Sequence, residues 1–255
     1  MEITPAERIL KDLGITEPHE IDLDAIAWEL GARVRYRPLR GCEARIVGST
    51  DQAIITVNSR SSRRRQRFSV GHELGHWYYD RGRVLVCLAD DIGQATWGDL
   101  SPERIADRFA SSLLMPDYLF QPMARSFPKA NFQTVQAIAD EFDTSRTATA
   151  IRLVEGKYFA AVLVCHGPQG RKWFTRSPDV PQRWFPCKDL SADSFAFAVL
   201  FGRAPGDQFP RKIGADAWFD RHEADRYEVY EQTIKTADDE ILTLVHIVDE
   251  AMLRE

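Results

Sequence analysis

The alternation of apolar and polar positions divides the chain into segments of different period. Residues 4–14 and 22–31 carry apolar side chains at helical spacing, and each run stops at a glycine, Gly14 and Gly31, so both read as short helices. The stretches "RVRYRPL", "EARIVG" and "QAIITVN" that follow are rich in β-branched residues and are separated by turn residues, among them Gly41 and "GSTDQ". They read as three strands of a small antiparallel sheet. From Ser62 to Tyr79 the period returns to that of a helix. Another helix begins near "SPERIADRFASSLLMP", where Ser101 can cap the first turn, Pro102 suits it and Pro116 ends it.

Residues 117–156 read as further short helices. Within "TVQAIADEFDTSRTATAIRLVEG", Asp143 and Thr144 separate two apolar-striped segments in the manner of a helix-turn-helix. After Gly156 the pattern changes again. "YFAAVLVCHGPQGRKWFTRS" reads as a hairpin about the Gly-Pro-Gln-Gly turn, and "DAWFDR", "YEVYEQTIKT" and "ILTLVHIVD" read as further strands. The expected class is therefore α+β, in three parts: residues 1–125 as a sheet-and-helix domain, 126–156 as a helix-turn-helix-like module, and 157–255 as a carboxy-terminal mixed α/β domain.

Composition sharpens this picture in three places. With 44% apolar and 28% charged residues the chain is ordinary for a soluble protein; its amino terminus is charged from the first turns, and no run reaches membrane-spanning length. A cytoplasmic location with no membrane partner is expected. Cys42, Cys87, Cys165 and Cys187 are widely spaced and form no C-x-x-C pair, so they read as free thiols. The net charge of -5 gives no general attraction for nucleic acid, and the one basic run, Arg60, Arg63, Arg64, Arg65 and Arg67, reads as a helix start in which arginines pair with acids. Residues 133–155 set Asp140, Glu141, Asp143 and Glu155 against Arg146 and Arg152. Phosphate contact is disfavoured there, so a packing unit is expected in place of a DNA reader.

The chemistry concentrates in "RFSVGHELGHWYY". Residues four apart on a helix share a face about 6 Å apart along its axis, so His72 and His76 can direct imidazole nitrogens at one ion. Glu73 sits roughly 100° around the helix, beside the ion's open side, where its carboxylate can take a proton from water. A catalytic site of this kind needs a third protein ligand, and "ERIAD" places Glu103 and Asp107 on one face of the next strong helix. Glu103 is the expected third ligand. Asp107 is the expected acceptor for an imidazole N–H, that of His72.

These residues carry a resemblance. "RFSVGHELGHWYY" followed by "SPERIADRFASSLLMP" resembles the ImmA/IrrE family of metallopeptidases, whose pattern is H-E-L-G-H and then E-x-x-A-[ND]-x-F-A-x-x-L-L-M-P, over roughly residues 20–120. The resemblance implies a zincin-like peptidase domain with a gluzincin-like site in which His72, His76 and Glu103 bind the metal and Glu73 activates water. It also implies, as substrate and partner, a helix-turn-helix repressor of the Xre type, cleaved to relieve repression of stress-response or mobile-element genes. Some members of the family carry a helix-turn-helix-like module and a sensor domain resembling a GAF fold after the peptidase domain, which agrees with the change of pattern near residue 156.

Two histidines and a carboxylate suit Zn2+, the expected ion, and also admit Mn2+ or Fe2+. The oxyanion donor stays open among Tyr78, Tyr79 and the arginines at 63–67, and "AIITVN" could serve as an edge strand that holds an extended substrate. Two other functions compete: a DNA-binding regulator with a structural or sensory metal, and a noncatalytic partner of an Xre-like protein. Glu73 favours the endopeptidase, since a purely structural site needs no base.

Overall fold

A computed structural model of the chain describes residues 3–81, 101–202, 204–206, 209–237 and 239–254; Cys87 lies outside them. The chain divides into two units, Met1–Pro122 with Asp140–Ser145, and Met123–Ala139 with Arg146–Glu255. Helices and two sheets make it α+β. No described helix is long and apolar enough to cross a membrane.

In the first unit, α1 (Pro5–Asp12) begins at Thr4. The Glu7 N–H donates to the Thr4 hydroxyl at 3.2 Å while the Thr4 N–H donates to the Glu7 carboxylate at 2.9 Å, which satisfies two of the donors a helix start leaves open. Helix α2 (Leu23–Glu29) is capped by Asp22. The chain leaves both helices through the expected glycines, Gly14 and Gly31, at φ 74° and 83°.

Strands β1 (Ala32–Arg37), β2 (Ala44–Gly48) and β3 (Ala53–Asn58) occupy the expected stretches, but their arrangement corrects two expectations. The order is β1-β3-β2, with β2 antiparallel and β1 parallel to β3. The sheet is mixed, not antiparallel. The "AIITVN" strand, β3, is paired on both sides and has no free edge to offer a substrate. Period-two alternation tells which face of a strand is buried but is silent on its neighbours. The most apolar strand took the centre, and the strand with three arginines took an edge, where charge also blocks unwanted pairing. Ile46, Ile55 and Val57 bury the inner face, while Arg33, Arg35, Arg45, Val47 and Ile54 are exposed on the outer one.

Helix α3 (Arg63–Tyr79) packs on that inner face and starts at Ser62, whose hydroxyl accepts from the Arg65 N–H at 3.3 Å. Every residue from Ser69 to Trp77 is buried. Helix α4 (Pro102–Leu114) starts at Ser101 as its cap and packs along α3. Helix α5 (Asp117–Ser126) follows, and the Phe120 ring meets that of Phe142 at 5.6 Å.

The second unit takes α6 (Phe132–Glu141) up to Ala139 and all of α7 (Arg146–Glu155); the turn between the helices, in which Asp143 has φ 49°, belongs to the first. Both helices are tied to the sheet that follows: the Phe132 N–H donates to the Gln232 side chain at 2.7 Å, and the Thr175 hydroxyl donates to Glu155 at 2.8 Å. That sheet has the order β5-β4-β8-β7-β6 and is antiparallel throughout, from β4 (Ala161–Gly167), β5 (Gly170–Arg176), β6 (Arg211–Gly214), β7 (Glu228–Ala237) and β8 (Glu240–His246). The expected hairpin closes on Pro168 and Gln169. "DAWFDR" is not a strand: Ala215–Ala217 form a 3-10 turn, and Phe219 makes only an isolated bridge to Pro186. Trp218 and Phe219 are both buried, so the stretch is an aromatic plug in the core and lacks a strand's alternation. Two short helices, α8 (Phe195–Leu200) and α9 (Glu250–Leu253), complete the unit. The N-terminus of α8 faces Glu231, a fully buried carboxylate that accepts from the Ser194 hydroxyl, the Ala196 N–H and the Trp218 indole N–H.

Candidate metal centre

Small residues bring the two helices of the site together. Gly71 and Gly75 face Ala110 and Ala106, and a Cβ on Gly71 would stand 3.2 Å from the Ala110 Cα. The histidines follow these glycines directly in sequence, so the close backbone approach sets His72 and His76 beside the first turns of α4. Without it Glu103 could not reach them.

Three atoms converge there. The His72 Nε2 lies 3.1 Å from the His76 Nε2 and 3.1 Å from a Glu103 carboxylate oxygen, which is 3.3 Å from the His76 Nε2. The two imidazoles are buried and Glu103 is half-buried. Asp107 lies on the far side of His72, its carboxylate oxygen 2.8 Å from Nδ1. With the Nδ1 proton donated to Asp107, the His72 Nε2 presents a lone pair, and it faces two further acceptors. Such a donor set calls for a cation. The spacing agrees with one, because ligand atoms about 2.1 Å from a tetrahedral ion stand about 3.4 Å from one another.

The electrostatics are uneven. Burial depresses the His72 imidazole, but the Asp107 hydrogen bond and charge, together with Glu73 and Glu103, hold it above its ordinary value. Burial and the neighbouring His72 push His76 below its own. Glu73 is fully buried on α3 and near enough for its charge to act on His72. One residue escaped the sequence reading: Asp80, a turn beyond His76, has a carboxylate oxygen 3.7 Å from the His76 Nδ1. Its signal in the sequence is the i+4 spacing from His76, the same spacing that relates His72 to His76 and Glu103 to Asp107.

Tyr78 stacks on Phe109 at 5.4 Å and Tyr79 meets the same ring edge-on at 6.1 Å. Among the described residues neither hydroxyl makes a hydrogen bond. The arginine run is held by acids: Arg63 reaches Asp143 at 2.7 Å, Arg64 reaches Asp140 at 2.5 Å, Arg67 lies 3.7 Å from Asp143, and Arg65 lies 3.8 Å from Glu43. That pairing was the expected use of the run, and it engages those guanidiniums with carboxylates.

Comparison with known proteins agrees with this geometry. No curated protein matches the chain. A solved structure of a Mycobacterium tuberculosis transcriptional regulator shares the fold, with a TM-score of 0.58 at 13% identity over 97% of this chain and 88% of that one. The family model described as the IrrE N-terminal-like domain, Peptidase M78, matches residues 27–154, which include both helices of the centre and the sheet beneath them. The match spans half of the protein, and the chain belongs to the IrrE N-terminal-like family of peptidases.

Proposed function

We propose that the protein is a zinc-dependent endopeptidase that hydrolyses a peptide bond in a specific regulatory protein, an Xre-type helix-turn-helix repressor, and so relieves repression of stress-response or mobile-element genes. The observation that carries this reading is the convergence of His72, His76 and Glu103 beside a buried Glu73. His72, His76 and Glu103 would hold the ion, and the chemistry it supplies when bound is polarisation of a peptide carbonyl and acidification of water.

The remaining work falls to the chain. Asp107 fixes the His72 ring in the tautomer that presents Nε2, and its negative charge makes that nitrogen a stronger donor. Asp80, 3.7 Å from the His76 Nδ1, adds only its negative charge beside that ring. Glu73 accepts a proton from the attacking water and delivers it to the departing amine, a task suited to a carboxylate in a desolvated cleft. Incubation of the zinc-loaded protein with a candidate Xre-type repressor should yield a defined fragment, and the Glu73→Gln protein should yield none. Equal cleavage by both proteins would remove Glu73 from the reaction.

A second reading, a DNA-binding regulator with a structural or sensory metal, draws support from the fold shared with a protein named a transcriptional regulator. Against it stand the net charge of -5 and the use of Arg63, Arg64 and Arg67 in ion pairs with Asp140 and Asp143, which leaves those guanidiniums less free for phosphate. Sequence-selective binding to duplex DNA that survives about 200 mM salt would favour this second reading.

A further inference from the structure

We propose that the outer face of the β1-β3-β2 sheet is a docking surface for an amphipathic, acidic segment of a protein partner. The face is built in rows by the strand register. Arg35 and Arg45 both align with Thr56, one on either side, and Arg33 and Val47 both align with Ile54. Arg37 extends the β1 column by one more place. Neighbouring strands are about 4.8 Å apart and alternate residues of a strand nearly 7 Å apart, so four guanidiniums share a patch that one short segment could cover.

These arginines differ from the run at 63–67. Those are paired with acids, whereas among the described residues Arg33, Arg35, Arg37 and Arg45 make no ion pair, although the chain has 38 acidic residues against 33 basic ones. Arg33 instead lies over the ring of Trp28 at 4.7 Å, a cation–π contact that helps hold the guanidinium in place without using a carboxylate. Unpaired arginine is the cation best suited to carboxylates, which it binds through two parallel hydrogen bonds.

The apolar neighbours decide the kind of partner. Trp28 is 59% exposed, Val47 57% and Ile54 37%. Val47 and Ile54 lie in one row with Arg33, and Trp28, on α2, adjoins that row through the Arg33 guanidinium over its ring. A nucleic-acid backbone would gain nothing from Val47 and Ile54, and the acidic chain as a whole repels it. A protein segment with carboxylates flanking an apolar stripe satisfies both kinds of side chain, and arginine with tryptophan around an apolar centre is the usual make-up of an energetic interface. This face of the sheet is the one turned away from α3, so the proposal concerns a surface separate from the metal centre and does not rest on hydrolysis.

The test uses the full chain and a fluorescent helical peptide of about 20 residues with Glu and Leu at helical spacing, compared with its Gln counterpart and with a duplex DNA of similar length, by anisotropy. The acidic peptide should bind, the Gln peptide should bind about tenfold more weakly, and both the pair Arg35→Gln with Arg45→Gln and the pair Val47→Ser with Ile54→Ser should weaken the acidic peptide about tenfold. All four substitutions lie on the outer face; an unchanged circular dichroism spectrum and thermal midpoint show that the fold persists. No binding of the acidic peptide, or binding that neither pair changes, overturns the proposal. Duplex binding that depends on the arginine pair and ignores the apolar pair overturns it in favour of a nucleic-acid surface.

Discussion

Gly75 lies so close to Ala106 that a Cβ on the glycine would stand 2.8 Å from the alanine Cα. The obstacle is backbone, which cannot swing aside as a flexible side chain would. Gly75→Ala should therefore push α4 away from α3, destabilising the protein by about 1–3 kcal/mol, the usual cost of overpacking. It should also weaken metal binding, because Glu103 rides on α4. Denaturant titration and a metal competition assay measure the two effects; a Gly75→Ala protein with normal stability and affinity would mean that the helices part without cost.

Single substitutions at the centre should separate holding the ion from using it. His72→Ala, His76→Ala and Glu103→Ala should each lose metal. Asp107→Ala should lower affinity about 10- to 100-fold through His72, and Asp80→Ala by less, since its carboxylate is 3.7 Å from His76 where that of Asp107 is 2.8 Å from His72. Glu73→Gln should bind metal normally and lose hydrolysis by about 10²- to 10⁴-fold. Metal content measured beside turnover decides the assignment; metal lost on Glu73→Gln would make Glu73 a ligand.

Asp143 combines two roles in one residue. Its carboxylate faces Arg63, Arg64 and Arg67, and its backbone is left-handed at φ 49°, a region that Asp and Asn enter more readily than Ala. Asp143→Asn should cost about 1 kcal/mol through the ion pairs alone. Asp143→Ala should cost about 1 kcal/mol more, because it adds backbone strain. Urea midpoints for the two variants measure the difference, and coincident midpoints would leave the backbone with no share in it.

What could be read in advance, and what could not, follows from range. The relation of His72, Glu73 and His76 is local, and helical rise and turn are enough to place three side chains within a turn or so of one another. The spacing of Glu103 and Asp107 is equally local, which is why the two were placed on one face. The order β1-β3-β2 is non-local: "RVRYRPL" and "QAIITVN" carry no mark that they run side by side in the same direction. The pairing of Arg63 and Arg64 with Asp143 and Asp140 spans about eighty residues, so their partners could be expected in kind but not in position. "DAWFDR" misled because aromatic residues favour strands and also favour cores, and short stretches do not distinguish the two.

His166 provides a test in the second unit. Its side chain is buried on β4, with the Trp218 ring at 5.9 Å, and burial followed by the charge of Arg171 pushes its pKa down to about 4. The unfolded chain has an ordinary imidazole near 6.5, so below that pH the unfolded state takes up a proton that the folded state refuses. The folded pKa is depressed, and for a base this means stability that is complete above about pH 6.5 and falls as the pH drops towards 4. The full loss over that window is about 3 kcal/mol. Replacing the ring with a neutral one of similar bulk, His166→Phe, removes the proton and with it this part of the pH dependence. Urea denaturation from about pH 7.5 to pH 4.5 should therefore give a shallower decline for His166→Phe than for the parent, whatever the absolute stability of the variant. Parallel curves for the two proteins would show that His166 takes up its proton without opposing the fold.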